Sequence, residues 1–351
     1  MRIVAGLSLK NLKPRIWDPE SPDYLVSLSA VMVSWSEIFQ MPSIRRKLAA
    51  NGLRGYLGLP SDVVAYLDNG SFYFRSREGN ENIEEYVEFV AEARPDWYPI
   101  PRDYIPTPRM TAIEQENAFA RTMCLNTAFR DNGYVPVVHV GHHLDDYISA
   151  IQDDPLLDGS PRIAVGGIVP NLLRSPKALP YNQLLDAIKR ARIAFTEKEI
   201  HLFGIGGTAT LHIARLLGMD SVDSSGWRSR AARGLVQLPG KGDRSIVKLG
   251  NWRGRVPSAD EWRQLEACPC PACSQHGIDG LQQSQIIGFR NRAVHNIWVL
   301  HEEASLIESH LAAGTYVDWY QTHLDNTIYR PLIDRIVDAR FGQSARCTLT
   351  H

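Results

Sequence analysis

The chain lacks any long hydrophobic run. Its longest run, Tyr24 to Val33, has about ten residues, too few to span a bilayer. The first residues, MRIVAGLSLKNLKPR, also lack the apolar stretch and small-residue cleavage site of a signal peptide. These absences argue against a membrane protein and predict a cytoplasmic one.

Net charge is almost absent as well. The 351 residues carry a formal charge of −1, whereas partners of nucleic acids are usually basic. The average conceals a cluster in 228–255, a segment that contains eight cationic residues and one acidic residue, Asp243. Such a patch can bind a polyanion by counterion release, and the alternative is a solvated loop paired with acids elsewhere. The cations are Arg228, Arg230, Arg233, Lys241, Arg244, Lys248, Arg253 and Arg255.

Cysteine is scarce, but its distribution is informative. Three of the five cysteines lie in CPCPAC as Cys268, Cys270 and Cys273. In a cytosolic chain such clustering favours metal ligands over disulfides, and thiolates favour zinc. His276 and His295 are the candidate fourth ligands. We favour His295, because His276 leaves a tight loop. Four protein ligands leave no open position, so the expected Zn²⁺ is structural.

Short β-like runs alternate with helical patterns along the first two thirds of the chain. This alternation predicts βαβ units and a parallel sheet. Eight runs suit a (β/α)₈ barrel, and an open doubly wound sheet is the alternative. The helix-like segments are 80–94, 110–130, 181–197 and 208–217. The strand runs are 2–9, 24–33, 63–68, 97–101, 135–140, 162–169, 201–207 and 221–225.

The alternation stops after the last strand run. Residues from about 228 to 290 are rich in Gly, Pro, Arg and Cys, which indicates an insertion. Helical periodicity then returns at Leu300, Ala304, Ile307 and Leu311. We therefore expect three parts: barrel and active site in 1–227, a basic loop and zinc-binding insertion in 228–295, and C-terminal helices completing the barrel in 296–351.

Polar residues and glycines cluster at the ends of the strand runs, where barrel enzymes place reacting groups. Each is weak alone, because an aspartate before a turn is commonly a helix cap. One hypothesis is a metal-dependent barrel hydrolase with His139, His142, His143, Asp145 and Asp146 as ligands. The strand-end residues are Asp68, Asp103, His139, Gly166, Gly167, Gly204, Gly206, Gly207 and Asp223.

Taken together, these segments resemble the tRNA-guanine transglycosylase superfamily, zinc-bearing (β/α)₈ barrels that exchange guanine for a 7-deazaguanine in nucleic acid. The family's DSGG-aromatic segment resembles 68–72, its LMGVG segment 202–206, and its nucleophile segment GxDxFD 218–223. The Gly-Gly strand end and the zinc signature, with a distant His-Asn, match as well. The matches follow the family's order over about residues 60 to 312.

The resemblance implies roles for particular residues. Asp223 would be the nucleophile that attacks C1′, with Asp220 as the rival, and Asp68 would be the acid/base. Phe72 and Phe203 would sandwich the base, although Phe203 also suits a core. The remaining base-binding residues would be Asp103, His139, Gly166, Gly167 and Gly204.

The basic segment after the nucleophile would then bind nucleic acid. Trp227 would stack or wedge where the base leaves, or alternatively pack in the interior. The cations expected to hold phosphates are Arg228, Arg230, Arg233, Lys241 and Arg244.

Departures from the family pattern bear on the substrate. Ser71 replaces a glycine, SSGWRSRAARG replaces the Pro-Thr-Arg after the nucleophile, and His139 replaces a base-reading Gln. These changes favour the DNA-modifying branch, with a preQ0-like base and other proteins of a DNA-modification cluster as partners. The alternatives are tRNA as substrate and a non-catalytic nucleic-acid-binding subunit. The resemblance also allows a homodimer.

Overall fold

The computed structural model describes residues 1–75, 83–251, 254–324 and 328–347, with side chains described through residue 341. The strands are β1 Arg2–Gly6, β2 Ala30–Ser34, β3 Val64–Asp68, β4 Val137–His139, β5 Arg162–Gly166, β6 Glu199–Leu202, β7 Ser221–Ser224, β8 Leu235–Leu238 and β9 Gly242–Ser245. The first seven form one parallel sheet in the order β3-β2-β1-β7-β6-β5-β4, and β8 and β9 form an antiparallel pair.

The extended segment 97–99 closes the sheet into a barrel. It forms parallel bridges toward β3 on one side and toward β4 on the other. The Leu67 amide donates to the Trp97 carbonyl oxygen at 2.9 Å, and the Val135 amide donates to that of Tyr98 at 3.0 Å. The seven strands and this segment make eight parallel positions in a ring. The predicted (β/α)₈ barrel is confirmed, and the open sheet is wrong.

Each predicted strand run corresponds to one barrel position, but the strands are shorter than the runs. Residues 24–29 and 203–207 lie outside strands. Residues 167–169 also leave the sheet, because the chain turns at Gly167 into a short helix. Hydrophobic residues thus continue past the carboxyl ends of β5 and β6, where Ile168, Val169 and Phe203 line a cavity at the mouth of the barrel instead of pairing.

Helices surround the barrel and continue after it. The predicted helices 110–130, 181–197 and 208–217 are confirmed as α5 (Ala112–Ala128), α9 (Tyr181–Ala194) and α10 (Thr208–Leu216). The predicted helix 80–94 is α4 (Ile83–Ala93), and residues 80–82 lie outside the described part. None of the helices described is long and apolar enough to cross a bilayer. The helices are α1 Trp35–Phe39, α2 Pro42–Leu57, α3 Ser71–Phe74, α4 Ile83–Ala93, α5 Ala112–Ala128, α6 Leu144–Asp153, α7 Pro155–Asp158, α8 Ile168–Leu172, α9 Tyr181–Ala194, α10 Thr208–Leu216, α11 Gly226–Ala232, α12 Ala259–Glu266, α13 Pro271–Gln282, α14 Ile286–Ala312, α15 Tyr316–His323 and α16 Arg330–Cys347.

The long helix α14 connects the barrel to the region that follows its last strand. It contacts α10 and α11 on the barrel side and α13 and β8 on the other. The periodic face predicted for this helix is confirmed, since Leu300, Ala304 and Ile307 are buried in the core. The division of the chain at 227/228 and 295/296 stays a prediction, and α11 and α14 run through those two positions.

A buried polar cluster joins α10, α14, α15 and the β8–β9 turn. Glu303 Oε1 lies 2.7 Å from His212 Nε2 and 2.8 Å from His323 Nε2, and the Gly240 amide donates to its other oxygen at 2.9 Å. Burial alone raises the pKa of Glu303, but the two histidines outweigh it and hold the pKa at about 2. The carboxylate is therefore ionised and fully hydrogen-bonded in the folded protein.

Replacing Glu303 with Gln is expected to lower the free energy of unfolding by roughly 3 kcal/mol, because the buried network loses its negative charge and one of its two acceptor oxygens. The folded-state pKa of Glu303 is depressed, so its contribution is present above about pH 4.5 and is lost as pH falls toward 2. Urea unfolding of wild type and variant at pH 7 and at pH 3 measures the contribution of Glu303 to the free energy of unfolding. The stability difference between wild type and variant should be smaller at pH 3; an equal difference at both pH values would contradict the assignment.

Candidate active site

A cavity of about 470 Å³ opens at the carboxyl ends of the barrel strands. Strand register brings polar side chains to this cavity. Ser34 pairs with Asp68 at the ends of β2 and β3, and Asp223 lies near the end of β7. All the residues predicted to be catalytic or base-binding line this one cavity. They are Asp68, Phe72, Asp103, His139, Gly166, Gly167, Phe203, Gly204 and Asp223.

Asp68 is held by two donors at the end of β3. Ser34 Oγ donates to Asp68 Oδ2 at 2.7 Å, and the Gly70 amide donates to the same oxygen at 3.1 Å. Burial raises the pKa of Asp68 to about 6, the negative charges of Asp223 and Asp103 add to the rise, and the two hydrogen bonds oppose it. A carboxyl group with this pKa can both donate and accept a proton near neutral pH.

Replacing Ser34 with Ala removes a hydrogen bond that lowers the pKa of Asp68. The pKa is then expected to rise by roughly 0.5–1 unit. Any step that needs protonated Asp68 should therefore persist to higher pH. The pH profile of single-turnover base release measures the change. Ser36→Ala is the control, because Ser36 hydrogen-bonds Ser34 and not Asp68; an unshifted profile in Ser34→Ala would contradict the role of Asp68.

Asp223 is held by the loop that follows β6. The Gly204 amide donates to Asp223 Oδ1 at 2.6 Å, and His201 Nε2 lies 3.5 Å from the same oxygen. Gly204 has φ +76°, and a Cβ there would lie 2.4 Å from Val169 Cγ2. A side chain at position 204 would therefore displace the amide that orients Asp223. The Asp223 side chain is 18% exposed, so it faces the cavity.

Asp103 and His139 form a buried polar pair beside the carboxylates. Asp103 Oδ2 lies 3.1 Å from His139 Nε2, and Asn69 Nδ2 donates to Asp103 Oδ1 at 2.8 Å. Burial alone raises the pKa of Asp103, but the hydrogen bond and charge of His139, with hydrogen bonds from Ser71 and Asn69, lower it overall. An ionised carboxylate at this position can accept N–H groups from a bound base.

The apolar surfaces of the cavity differ in exposure. Phe72 is 62% exposed, and the Arg75 guanidinium lies 5.0 Å from its ring centroid. Phe203 is half-buried and packs edge-on against His201 at 4.9 Å. At Gly166 a Cβ would lie 2.7 Å from His139 Nδ1, so the absence of a side chain makes room for the imidazole.

Two of the predicted nucleic-acid contacts are wrong. Trp227 is fully buried, so its indole packs in the interior and cannot stack on a base. Arg244 is 3% exposed and forms a bidentate ion pair with Glu261 at 2.6 and 2.8 Å. Glu261 neutralises the Arg244 charge inside the protein, and this ion pair holds β9 against α12.

The other cations of the basic segment are distributed among different roles. Arg228 donates to the carbonyl oxygens of Asn11 and Lys13, which ties α11 to the loop after β1. Arg230 pairs with Asp243 at 2.8 Å and lines a smaller cavity of about 270 Å³ that also includes Asp223. Arg233 and Arg255 are exposed and Lys241 is half-buried, and Arg253 lies outside the described residues.

Cys268, Cys270, Cys273 and His295 form a compact cluster between α12 and α14. The three Sγ atoms lie 3.5, 3.6 and 3.4 Å from His295 Nδ1. Tetrahedral zinc with ordinary bond lengths places sulfur and nitrogen ligands about 3.6 Å apart. His295 Nε2 lies 2.9 Å from the Gln237 carbonyl oxygen, which leaves Nδ1 as the ligand atom. The group can therefore hold a metal ion; the alternative ligand, His276, is exposed and outside it.

The ligands of the hydrolase hypothesis do not converge. His143 Nδ1 lies 2.7 Å from Asp146 Oδ2, Asp145 pairs with Arg190, and His139 faces Asp103. Within the described ranges they do not form a compact ligand group. The described part of the chain therefore gives this hypothesis no metal centre.

Sequence reasoning missed three residues of the site. Ser34, Asn69 and His201 hold or approach the carboxylates, but the sequence pattern gives none of them a role. Asn69 is 2% exposed and bonds both Asp103 and the Ile100 carbonyl oxygen. Their position in the sequence is a signal that could have identified them, because each is a polar residue in or beside a hydrophobic strand.

The fold and the site together define a (β/α)₈ barrel with paired carboxylates at its mouth and a Cys₃His cluster beyond its last strand. The model of the family described as queuine tRNA-ribosyltransferase matches residues 60–327, and the chain belongs to this family.

The individual relatives that match the chain share about a quarter of its residues in the aligned regions. The chain is 25% identical over 295 residues to the tRNA-guanine(15) transglycosylase of Pyrococcus abyssi, covering 79% of this chain and 44% of the relative. It is 25% identical over 297 residues to that of Thermococcus kodakarensis, with 79% and 45% covered. For Haloferax volcanii the identity is 26% over 276 residues, with 74% and 48% covered. The chain thus spans less than half the length of these curated relatives.

Proposed function

We propose that this protein is a guanine transglycosylase, which replaces guanine in a nucleic acid with a 7-deazaguanine base such as preQ0. One observation carries the proposal: Asp68 and Asp223, from remote parts of the chain, line one cavity, where burial and the nearby charge of Asp223 raise the pKa of Asp68. A nucleophile beside a carboxyl group of raised pKa suits a double displacement at a sugar carbon.

In the first step an Asp223 carboxylate oxygen attacks C1′ while the C1′–N9 bond breaks. The electron pair of that bond leaves with guanine, and protonated Asp68 supplies the proton that neutralises the departing base. In the second step the incoming base loses its N9 proton to the Asp68 carboxylate. Its N9 then attacks C1′ and the bond to Asp223 breaks. Two inversions retain the configuration of the sugar.

The base would bind between Phe72 and Phe203, whose aromatic faces suit a flat purine. The ionised Asp103 would accept the N1–H and the exocyclic amine, and His139 with the Gly167 backbone would face the carbonyl edge. Enclosure by these groups supports a purine-sized ligand in a cavity of about 470 Å³.

The names of the relatives support tRNA as the polymer, since the curated matches are tRNA-guanine(15) transglycosylases. DNA is the second candidate. The observation that favours it is the segment after the nucleophile, where SSGWRSRAARG replaces the Pro-Thr-Arg of the family pattern. In either polymer a paired base has to be turned out of the duplex to reach the cavity.

The Cys₃His group fits zinc by ligand type and spacing. Zinc there would be structural, because all four positions come from the protein. It would join the segment between α12 and α13 to α14, and it takes no part in the displacement at C1′.

Nucleoside mass spectrometry tests the proposal. The protein is expressed in a host that makes 7-deazaguanine precursors, and tRNA and DNA are purified and digested separately. We expect a 7-deazaguanine ribonucleoside from tRNA that depends on Asp223. A modified deoxynucleoside would identify DNA as the substrate instead, and modification of neither polymer would overturn the proposed function.

A further inference from the structure

His201 is a buried imidazole beside Asp223 that the proposed mechanism does not use. It lies on β6 and is 2% exposed. Its ring is enclosed by aromatic neighbours, with centroid distances of 4.9 Å to Trp97, 4.9 Å to Phe203 and 5.7 Å to Tyr66. The enclosure fixes the ring, so its nitrogen atoms have defined directions.

The two ring nitrogens face different partners. Nδ1 lies 2.9 Å from Ser221 Oγ, and Nε2 lies 3.5 Å from Asp223 Oδ1. Across the described residues Nε2 makes no regular hydrogen bond. A carboxylate oxygen only accepts, whereas a serine hydroxyl can donate or accept. The favourable arrangement therefore has Ser221 donating to Nδ1 and the proton on Nε2, pointing at Asp223.

The approach of His201 distinguishes the two oxygens of Asp223. The Gly204 amide already donates to Oδ1 at 2.6 Å. The amide and the imidazole thus both lie against Oδ1. Among the residues described, Oδ2 has no hydrogen-bond donor. One oxygen is held by the protein and the other is left for attack on the sugar.

We propose that His201, oriented by Ser221, is a positioning residue that donates through Nε2 to Asp223 Oδ1 and aims Oδ2 at C1′. This inference rests on the proposed function of Asp223. The 3.5 Å separation is long for a hydrogen bond, and such contacts shorten when a substrate closes the site. The residue acts through Asp223 and touches neither base nor sugar.

The test compares three variants with wild type. His201→Phe keeps an aromatic ring in the enclosure but removes the donor. His201→Gln restores an N–H donor, and Ser221→Ala removes the group that orients the ring. The matched control is His310→Phe, since His310 does not line the cavity. Single-turnover formation of the covalent protein–nucleic acid adduct is measured on denaturing gels, and exchange of radiolabelled guanine gives kcat and KM.

We expect His201→Phe to slow adduct formation about 10- to 100-fold, the usual effect of losing a hydrogen bond to a charged group. The KM for guanine should change less than about twofold, because the base contacts are untouched. His201→Gln should recover to within about fivefold of wild type. Ser221→Ala should fall between wild type and His201→Phe.

Unchanged adduct formation in His201→Phe would overturn the inference, as would a His201→Gln variant no better than His201→Phe. If either variant fails to fold by circular dichroism, Ser221→Ala decides, because among the described residues the Ser221 hydroxyl bonds His201 and does not bond Asp223. Unchanged adduct formation in Ser221→Ala would then overturn the inference. Failure of the proposed function looks different: wild type would form no adduct, or Asp223→Asn would still form one.

Discussion

Replacing Asp223 with Asn is expected to abolish the covalent adduct and to reduce base exchange by at least about 10⁴-fold, as is usual when a nucleophile is removed. The amide cannot attack C1′, yet it can keep the hydrogen bond from the Gly204 amide. Folding should therefore be preserved. The measurements are adduct formation on denaturing gels and guanine exchange under single-turnover conditions.

Asp220→Asn is the matched control for this prediction. Asp220 lies three residues earlier and was the rival nucleophile, but its side chain is 47% exposed, pairs with Arg192 and does not line the cavity. Exchange should stay within a few-fold of wild type. If Asp220→Asn lost exchange and Asp223→Asn kept it, the assignment of the nucleophile would be reversed.

Replacing Cys270 with Ser is expected to remove the bound metal and to lower the free energy of unfolding by more than about 5 kcal/mol, since structural zinc supplies much of the folding energy of its site. Cys270 is fully buried, and the cluster joins the α12–α13 segment to α14. Elemental analysis should find about one zinc ion per wild-type chain. Chemical denaturation gives the change in stability.

Cys124→Ser is the matched control, because Cys124 is an exposed free cysteine outside the cluster. It should retain the metal and the wild-type stability. Wild-type protein without metal, or a Cys270→Ser variant with unchanged stability, would show that the four side chains form only a hydrogen-bonded group.

The barrel and the Cys₃His cluster could be predicted from sequence because both leave local signals. Eight hydrophobic runs separated by helical patterns indicate a parallel sheet and suit a barrel, although they do not exclude an open doubly wound sheet, and Cys-x-Cys-x₂-Cys indicates a metal. The choice of His295 over His276 also followed from local geometry, since a ligand three residues after Cys273 leaves a tight loop. The structure agrees on each point.

The basic segment shows where sequence reasoning failed. Charge is visible in a sequence, but the partner of each charge is not. Arg244 is neutralised by Glu261, and Arg228 is used by the backbone carbonyl groups of another loop. The aromatic side chain of Trp227 is of a type that often stacks on bases, yet it is buried in the interior.

The sequence by itself determined the repeating strand–helix pattern and the ligand types of the cysteine cluster, and it pointed to Asp68 and Asp223 as the candidate catalytic pair. Only the tertiary structure decided that the sheet closes into a barrel through the segment 97–99, and that Ser34 and His201 lie against those aspartates. The physical reason is register: which side chains meet at the mouth depends on how neighbouring strands are aligned, and residues remote in sequence set that alignment.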